Sequence, residues 1–413
     1  MLDMNNFKVK RSSINIQALF IILYLLTSVV ATRTIHGFVF IVLVVLTCKQ
    51  VFNRSLLSLF KGKYIKAFIM FSAFVLISYF WADKKFLDRT IATVIALGLI
   101  EEIYIYFYFA SMLCKKWSID DLFLIYLIFA VAIGAYLLIF SPRSIWTDSN
   151  IRVGSNLNIH RNLIGMIMAY ASTISLYFSR KTSKRTKRLV YYLLILVMGT
   201  ICLLTGSRKG ALIIVGGIVG YLIFSERNKK LIRNVGIAIG LLIAIYIVVM
   251  TNDVLYSKIG IRFQYMITSI INDDTTVESS INTRAYYRTA AISLWKKHPI
   301  IGAGLDGFTS YMARISYWHV AYSHNNYTEM LANYGIIGFL LYYVQRFVMI
   351  FHLRMKRYKN DKSICLLWIC GLIMIVMEYA CVSYYSLPLQ LIFIFCALST
   401  ANIQKKEKPI SVN

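Results

Sequence analysis

Signatures of nucleotide and metal chemistry are missing from the sequence. It contains no Walker P-loop, no G-x-G-x-x-G, no H-E-x-x-H and no Asp-rich pair in its basic loops. Neither nucleotide hydrolysis nor a nucleotide-sugar site on the inner face of a membrane is therefore expected. The seven cysteines, at 48, 114, 202, 365, 370, 381 and 396, form no C-x-x-C pair and no metal-ligand spacing. Disulfides and a bound metal are both unexpected on that ground. Charge is scarce as well: Asp, Glu, Lys and Arg make up 15% of the chain, against about 25% in soluble domains. No internal repeat, low-complexity tract or soluble domain breaks the pattern. The basic N-terminal segment lacks a small-residue cleavage site and reads as a retained signal-anchor.

What the 413 residues hold instead is apolar: 58% are hydrophobic and the mean hydropathy is +0.64. A soluble fold has no use for so much apolar surface, so an all-α, polytopic membrane bundle is expected, with residues 1–413 as a single membrane domain. At roughly 17–25 apolar residues per crossing, candidate spans fall near 14–30, 36–52, 64–82, 90–112, 120–140, 161–178, 189–205, 210–225, 231–250, 335–353, 363–383 and 386–402, about twelve in all, the last being the weakest. The net charge of +27 admits a nucleic-acid partner in principle. The cations cluster between spans, however, as the positive-inside rule requires of a membrane protein, so no nucleic acid is expected. The Lys/Arg bias puts both termini in the cytoplasm. The outer loops are then 83–89, 141–160, 206–209, the long 251–334 segment and 384–388. A loop as long as 251–334 is functional or disordered. Its aromatic content and Gly-Pro turns favour order, with short amphipathic helices.

Polar chemistry is concentrated in these outer loops, above all in residues 282–338. Gly206 and Gly210 flank Ser207, Arg208 and Lys209 and allow a tight turn with backbone close to a ligand. Arg208 can fork two bonds onto a phosphate, whereas Lys209 is a point charge. The competing reading of Arg208 is a cation snorkelling at a helix end. Arg152, His160 and Arg161 stand before and at the opening of the sixth span, placed either for anion binding or for interfacial anchoring. Arg284 and Arg288 share a face of an expected amphipathic helix over 284–297, with Ala290, Ala291, Leu294 and Trp295 on the other side, and Pro299 ends it. Two arginines on one face suit a diphosphate; a helix lying on lipid headgroups would look the same. Asn326 and Glu329 are spaced as a capping box, so a helix is expected to start near 326 and to place His324 at its positive end. There the imidazole would stay neutral and accept a proton, with Asn325 orienting it or the substrate. His298 and His319 compete with it. Gly335 and Gly338 read as a bend and a close-packing site. Glu101, Glu102 and Glu378 fall inside spans and support a rival class, a proton-coupled transporter or flippase of lipid-linked oligosaccharide, or else they pair with a buried arginine.

Three motifs in order give the chain a family resemblance. They are Gly206-Ser207-Arg208 with Gly210-Ala211-Leu212; Thr283-Arg284 with Ala290-Ala291-Ile292 and His298-Pro299-Ile300-Ile301-Gly302-Ala303-Gly304; and His324-Asn325 with Glu329 and Gly335-Ile336-Ile337-Gly338. The chain resembles the O-antigen ligase and O-antigen polymerase superfamily of bacterial membrane glycosyltransferases over roughly residues 150–345. It departs from the family pattern at Thr328 and Asn333. The resemblance implies cofactor-free, metal-independent transfer of glycan from undecaprenyl diphosphate to an acceptor hydroxyl (of a second glycan, a lipid A core or a protein) at the outer face. It also implies that Arg208 and Arg284, and less directly Arg152 or Arg161, hold the diphosphate and that His324 is the base.

Overall fold

The computed structural model describes residues 16–51, 62–114, 117–148, 151–157, 159–225, 231–271, 279–315, 321–355 and 361–406. All regular structure among them is helical. The main helices are α1 (Ile16–Val30), α2 (Arg33–Val51), α3 (Lys63–Ile77, extended by a 3₁₀ turn to Trp81), α4 (Arg89–Cys114), α5 (Ile119–Phe140), α6 (Arg161–Lys181), α7 (Arg185–Leu204), α8 (Arg208–Phe224), α9 (Leu231–Thr251), α10 (Ile261–Ile271), α11 (Ser279–Lys297), α12 (Gly307–Ile315), α13 (Asn326–Arg354), α14 (Lys362–Met377) and α15 (Leu387–Lys406). Every apolar stretch read from the sequence lies on one of these helices. Among the described residues, eight helices are long and apolar enough to cross a membrane. The expected twelve is reached only by adding α8 (17 residues) and the shorter apolar helices Gln17–Val30, Lys362–Met377 and Leu387–Ala401. The firm description is a multi-pass helical bundle with eight candidate crossings.

The weakest apolar stretch turns out to be among the most enclosed. Residues 391–399 of α15 are buried without interruption, so this helix contacts protein rather than lipid and carries polar groups that a lipid-facing helix could not. Gln390 on α15 accepts from the Arg346 guanidinium at 3.0 Å and donates to the Tyr342 hydroxyl at 2.9 Å. Tyr342 in turn donates to Glu378 at 2.8 Å, and Ser383 donates to the same oxygen at 2.5 Å. The Arg346 guanidinium lies 3.4 Å from the Tyr342 ring centroid and is flanked by Tyr64, Phe68 and Phe393. Glu101 meets His36 at 3.1 Å. Glu101 and Glu378 thus have interior partners, Glu378 reaching an arginine through bridging groups, which is the structural reading of intramembrane acids.

The described residues of the 251–334 segment are largely helical, and the motif residues explain how. In α11 the residues Tyr287, Ala290, Ala291 and Leu294 are buried against Phe308, Met312 and Ala332, the face expected from periodicity. The helix stops at Lys297, just before His298-Pro299. In α13 the helix breaks at Gly335, whose φ of 62° and ψ of −164° lie in a region essentially reserved for glycine. A break leaves backbone groups unpaired, and the segment after Pro299 pairs them. Ile336 and Ile337 donate to Pro299 and Ile300 oxygens at 2.9 and 3.2 Å, and Ala303 and Gly304 donate to Ala332 and Asn333 oxygens at 2.9 and 2.8 Å. Two of the motifs read separately in the sequence are thus one hydrogen-bonded unit. A Cβ on Gly335 would stand 2.3 Å from the Ile300 oxygen. Gly335→Ala is accordingly expected to lower the yield and thermal midpoint of the purified protein, the backbone strain alone costing about 1–3 kcal/mol. A wild-type midpoint would refute the strain.

Candidate active site

The first wall of the site is the turn between α7 and α8. Gly206 adopts φ 64°, and Ser207 caps α8 by accepting from the Gly210 N–H at 3.2 Å. Arg208 and Lys209 therefore occupy the first two positions of a helix. A Cβ on Gly206 would lie 2.7 Å from the Lys258 oxygen and 3.0 Å from Arg152 Cδ, so the glycine admits the Arg152 side chain against the turn. The Val153 N–H, donating to the Leu204 oxygen at 3.2 Å, ties that loop down. Behind the turn, α6 and α8 pack almost backbone to backbone: a Cβ on Gly210 would come within 2.8 Å of the Gly165 main chain. That contact sets the start of α6 beside the start of α8. Arg161 opens α6, and His160 caps it, its Nδ1 accepting from the Leu163 N–H at 3.3 Å. With Nδ1 so used, a neutral His160 carries its proton on Nε2.

The opposite wall is the turn before α13. Asn325, not Asn326, is the cap: its Oδ1 accepts from the Tyr327 and Thr328 N–H groups at 2.9 and 3.2 Å. The expected capping box does not form. Glu329 instead accepts from the Ser323 N–H at 2.6 Å, because Ser323 folds back over the helix start, and Asn325 is occupied as cap rather than orienting the histidine. Asn326 is spent on the neighbouring loop, its N–H donating to the Glu378 oxygen at 2.8 Å and its Oδ1 accepting from the Ser383 N–H at 3.1 Å. Held between these anchors, His324 takes φ 59°, a left-handed conformation uncommon for a residue with a Cβ and a frequent mark of functional turns. Its ring lies 4.1 Å from that of Tyr322 and 5.9 Å from that of Tyr287, centroid to centroid.

These walls share one electrostatic environment. Burial, with the Arg284, Lys209 and His160 charges beside it, pulls the His324 imidazole down to about 4. Burial likewise lowers His160, helped by Lys209 and Arg161. Lys209 is 8% exposed, and Arg284 and Arg208 are its charged neighbours. Burial raises the Tyr322 phenol to about 12, so it remains a neutral donor. The structure thus gathers His324, Arg284, Arg208, Arg161, Lys209 and His160, with Arg152 packed against Gly206 on the same turn. Arg288 goes elsewhere, its guanidinium donating to the Tyr379 hydroxyl and stacking 5.3 Å from that ring. His298 lies beyond the far end of α11, and His319 is outside the described residues. Tyr287 and Tyr322 join a site that the sequence builds from His324 and the arginines with Asn325, Glu329, Gly206 and Ser207 in support, and Lys209 and His160, noted there only beside the arginines, move to its centre. The signal for Lys209 is a cation at the start of an apolar span on the cation-poor side.

Such an arrangement suits an anion. Cations stand at two helix N-termini, where the helix dipole opposes them and where bound negative charge would offset that cost. Beside these cations lies the His324 imidazole, held neutral by burial and by their charge. A search among curated proteins gave no match. Residues 193–343, which run from α7 through the Gly206 turn, α11 and His324 into the kinked α13, match the family model described as O-Antigen ligase. The match supports a ligase- or polymerase-type role in surface polysaccharide assembly and, with the helical bundle, the O-antigen ligase and O-antigen polymerase superfamily as the family of this chain.

Proposed function

We propose that the protein transfers glycan from undecaprenyl diphosphate to an acceptor hydroxyl at the outer face of the bacterial cytoplasmic membrane. It works as one membrane domain with both termini inside, and the 251–334 segment supplies part of the site. The observation that carries the reading is His324, held at φ 59° with its ring against Tyr287 of α11 and with Arg284, Lys209 and His160 as its charged neighbours. The acceptor oxygen attacks the anomeric carbon as its proton passes to the His324 imidazole. The bond from that carbon to the diphosphate oxygen breaks, and the electron pair leaves with the diphosphate. Arg208, Arg284 and Lys209 stabilise the charge that develops there, with Arg152 and Arg161 at the rim. Preorganised cations do this without reorganisation at the moment of reaction, and a diphosphate leaves without activation by a nucleotide. A base facing the leaving group across the sugar inverts the anomeric centre. Arg288, engaged by Tyr379, has at most an outer role. Glu101 and Glu378 have partners in the interior, which favours this reading over a proton relay through them, while the buried Glu102 keeps one oxygen without a hydrogen-bond partner among the described residues.

Complementation of a surface-glycan defect tests it. His324→Ala, Arg208→Ala and Arg284→Ala should each accumulate to normal protein levels and fail to restore the glycan. Full-length glycan from all three would sink the mechanism. Banding separates the two acceptor classes: a lost ladder with one repeat unit still attached marks a polymerase acting on a second lipid-linked unit, and loss of all attachment marks a ligase acting on a lipid A core or protein hydroxyl.

A further inference from the structure

At the end of α11 remote from Arg284, an open cleft of about 510 Å³ lies between α11, α12 and the 3₁₀ turn after α3. Its walls include Trp81, Tyr311 and Ile300, and its polar groups are Asp83, His298 and Arg314. Trp81 and Tyr311 are half-buried and fixed in place, while Asp83, His298 and Arg314 are exposed. The Arg314 guanidinium sits 5.8 Å from the Tyr311 ring centroid, which holds its donors at the rim. None of these residues belongs to the His324 cluster.

We propose that this cleft is a carbohydrate-binding subsite that grips the acceptor glycan away from the reaction centre. The charge pattern separates it from the diphosphate seat. That seat gathers its cations around a buried imidazole, whereas the cleft sets a carboxylate, Asp83, against Arg314, His298 and the Lys297 ammonium 5.4 Å from the Tyr311 ring, a mixed set of donors and acceptors. Sugar hydroxyls each donate and accept, and the cleft offers both: acceptors on Asp83, donors on Arg314, and either on His298 and Tyr311. The aromatic walls match the C–H faces of pyranose rings, and the volume falls in the range of small-ligand pockets. A hydrocarbon tail would leave those polar groups unpaired.

The backbone places this subsite on the path of the reaction. The cleft floor, Pro299–Ala303, is hydrogen-bonded to the residues around the α13 kink. His324 lies at the other end of the same short helical stretch, roughly 12 Å away along its axis at 1.5 Å per residue. A glycan with its reacting hydroxyl at His324 and its chain along this stretch reaches the cleft. The inference rests on His324 as the transfer centre, yet binding is measurable without transfer.

The test uses full-length protein in nanodiscs, with soluble oligosaccharides released by mild acid from the host strain's own surface polysaccharide as the probe. Wild type should bind the oligosaccharide, while Asp83→Asn and Arg314→Gln should each weaken binding about tenfold, corresponding to one well-made polar contact. Both substitutions are at exposed positions, and an unchanged thermal midpoint verifies the fold. Undiminished binding by both cleft variants, no binding by wild type, or displacement of the oligosaccharide from the cleft by sugar-free undecaprenyl phosphate would each overturn the subsite. Full transfer activity in His324→Ala would instead overturn the catalytic reading and leave the binding result standing.

Discussion

His324→Gln will slow glycan transfer by about 10²–10⁴-fold, the usual contribution of a positioned general base, with normal protein levels. Glutamine keeps the size and a hydrogen bond but cannot take the proton. The pH profile distinguishes a base from a residue that merely shapes the turn. In the empty site burial and the Arg284, Lys209 and His160 charges hold the imidazole down to about 4. The base is active when neutral, so activity is lost as pH falls through the folded pKa. For kcat/KM, which reports the free enzyme, the acid limb should lie near pH 4. Binding the diphosphate places negative charge among those cations and cancels their effect on His324, so in the donor complex the imidazole becomes a stronger base. The acid limb of kcat should therefore lie at higher pH than that of kcat/KM. Coincident limbs, or an unchanged profile in His324→Gln, would remove the histidine from the proton path. This coupling has a functional consequence: the base gains strength only when the leaving group is in place, which disfavours proton abstraction from a hydroxyl in an unloaded site.

Hydropathy makes the helices legible because a membrane span must satisfy its own backbone and face lipid over its length. The same logic undervalues α15, whose neighbours are protein rather than lipid, and leaves the crossings open where helices are short. Glycine and proline mark the bend at Gly335 and the stop at Lys297, but not that these two features hydrogen-bond to each other, since pairing between distant segments leaves no local pattern. Periodicity puts Arg284 and Arg288 on one face, yet only Arg284 acts on His324, because the Tyr379 ring takes Arg288. The spacing of Asn326 and Glu329 correctly announces a helix start and misassigns its chemistry by one residue. What local sequence cannot show is which of several polar neighbours a side chain meets, and that decides the roles of Asn325, Glu329 and Lys209.

Lys209→Met is expected to give opposite signs in activity and stability. Lys209 is 8% exposed, and among the described residues no carboxylate or hydrogen-bond partner meets its ammonium. Its charged neighbours, Arg284 and Arg208, repel it. An ammonium removed from water without a partner is costly to fold around, and replacing buried charges by packed apolar side chains is often neutral or stabilising by about 1–4 kcal/mol. Methionine fills nearly the same volume, so the thermal midpoint of the donor-free protein should stay level or rise. Transfer should fall by about 10²–10³-fold, the effect of removing one preorganised group that stabilises developing charge. With one cation removed, the His324 imidazole should titrate at higher pH, moving the acid limb of kcat/KM upward in the same variant. Three measurements on one purified protein, midpoint, rate and pH profile, therefore test a single cause. A structural lysine would lower the midpoint along with the rate and leave the acid limb in place. A more stable protein, a slower reaction and a shifted base arise together when Lys209 serves a bound anion rather than the fold.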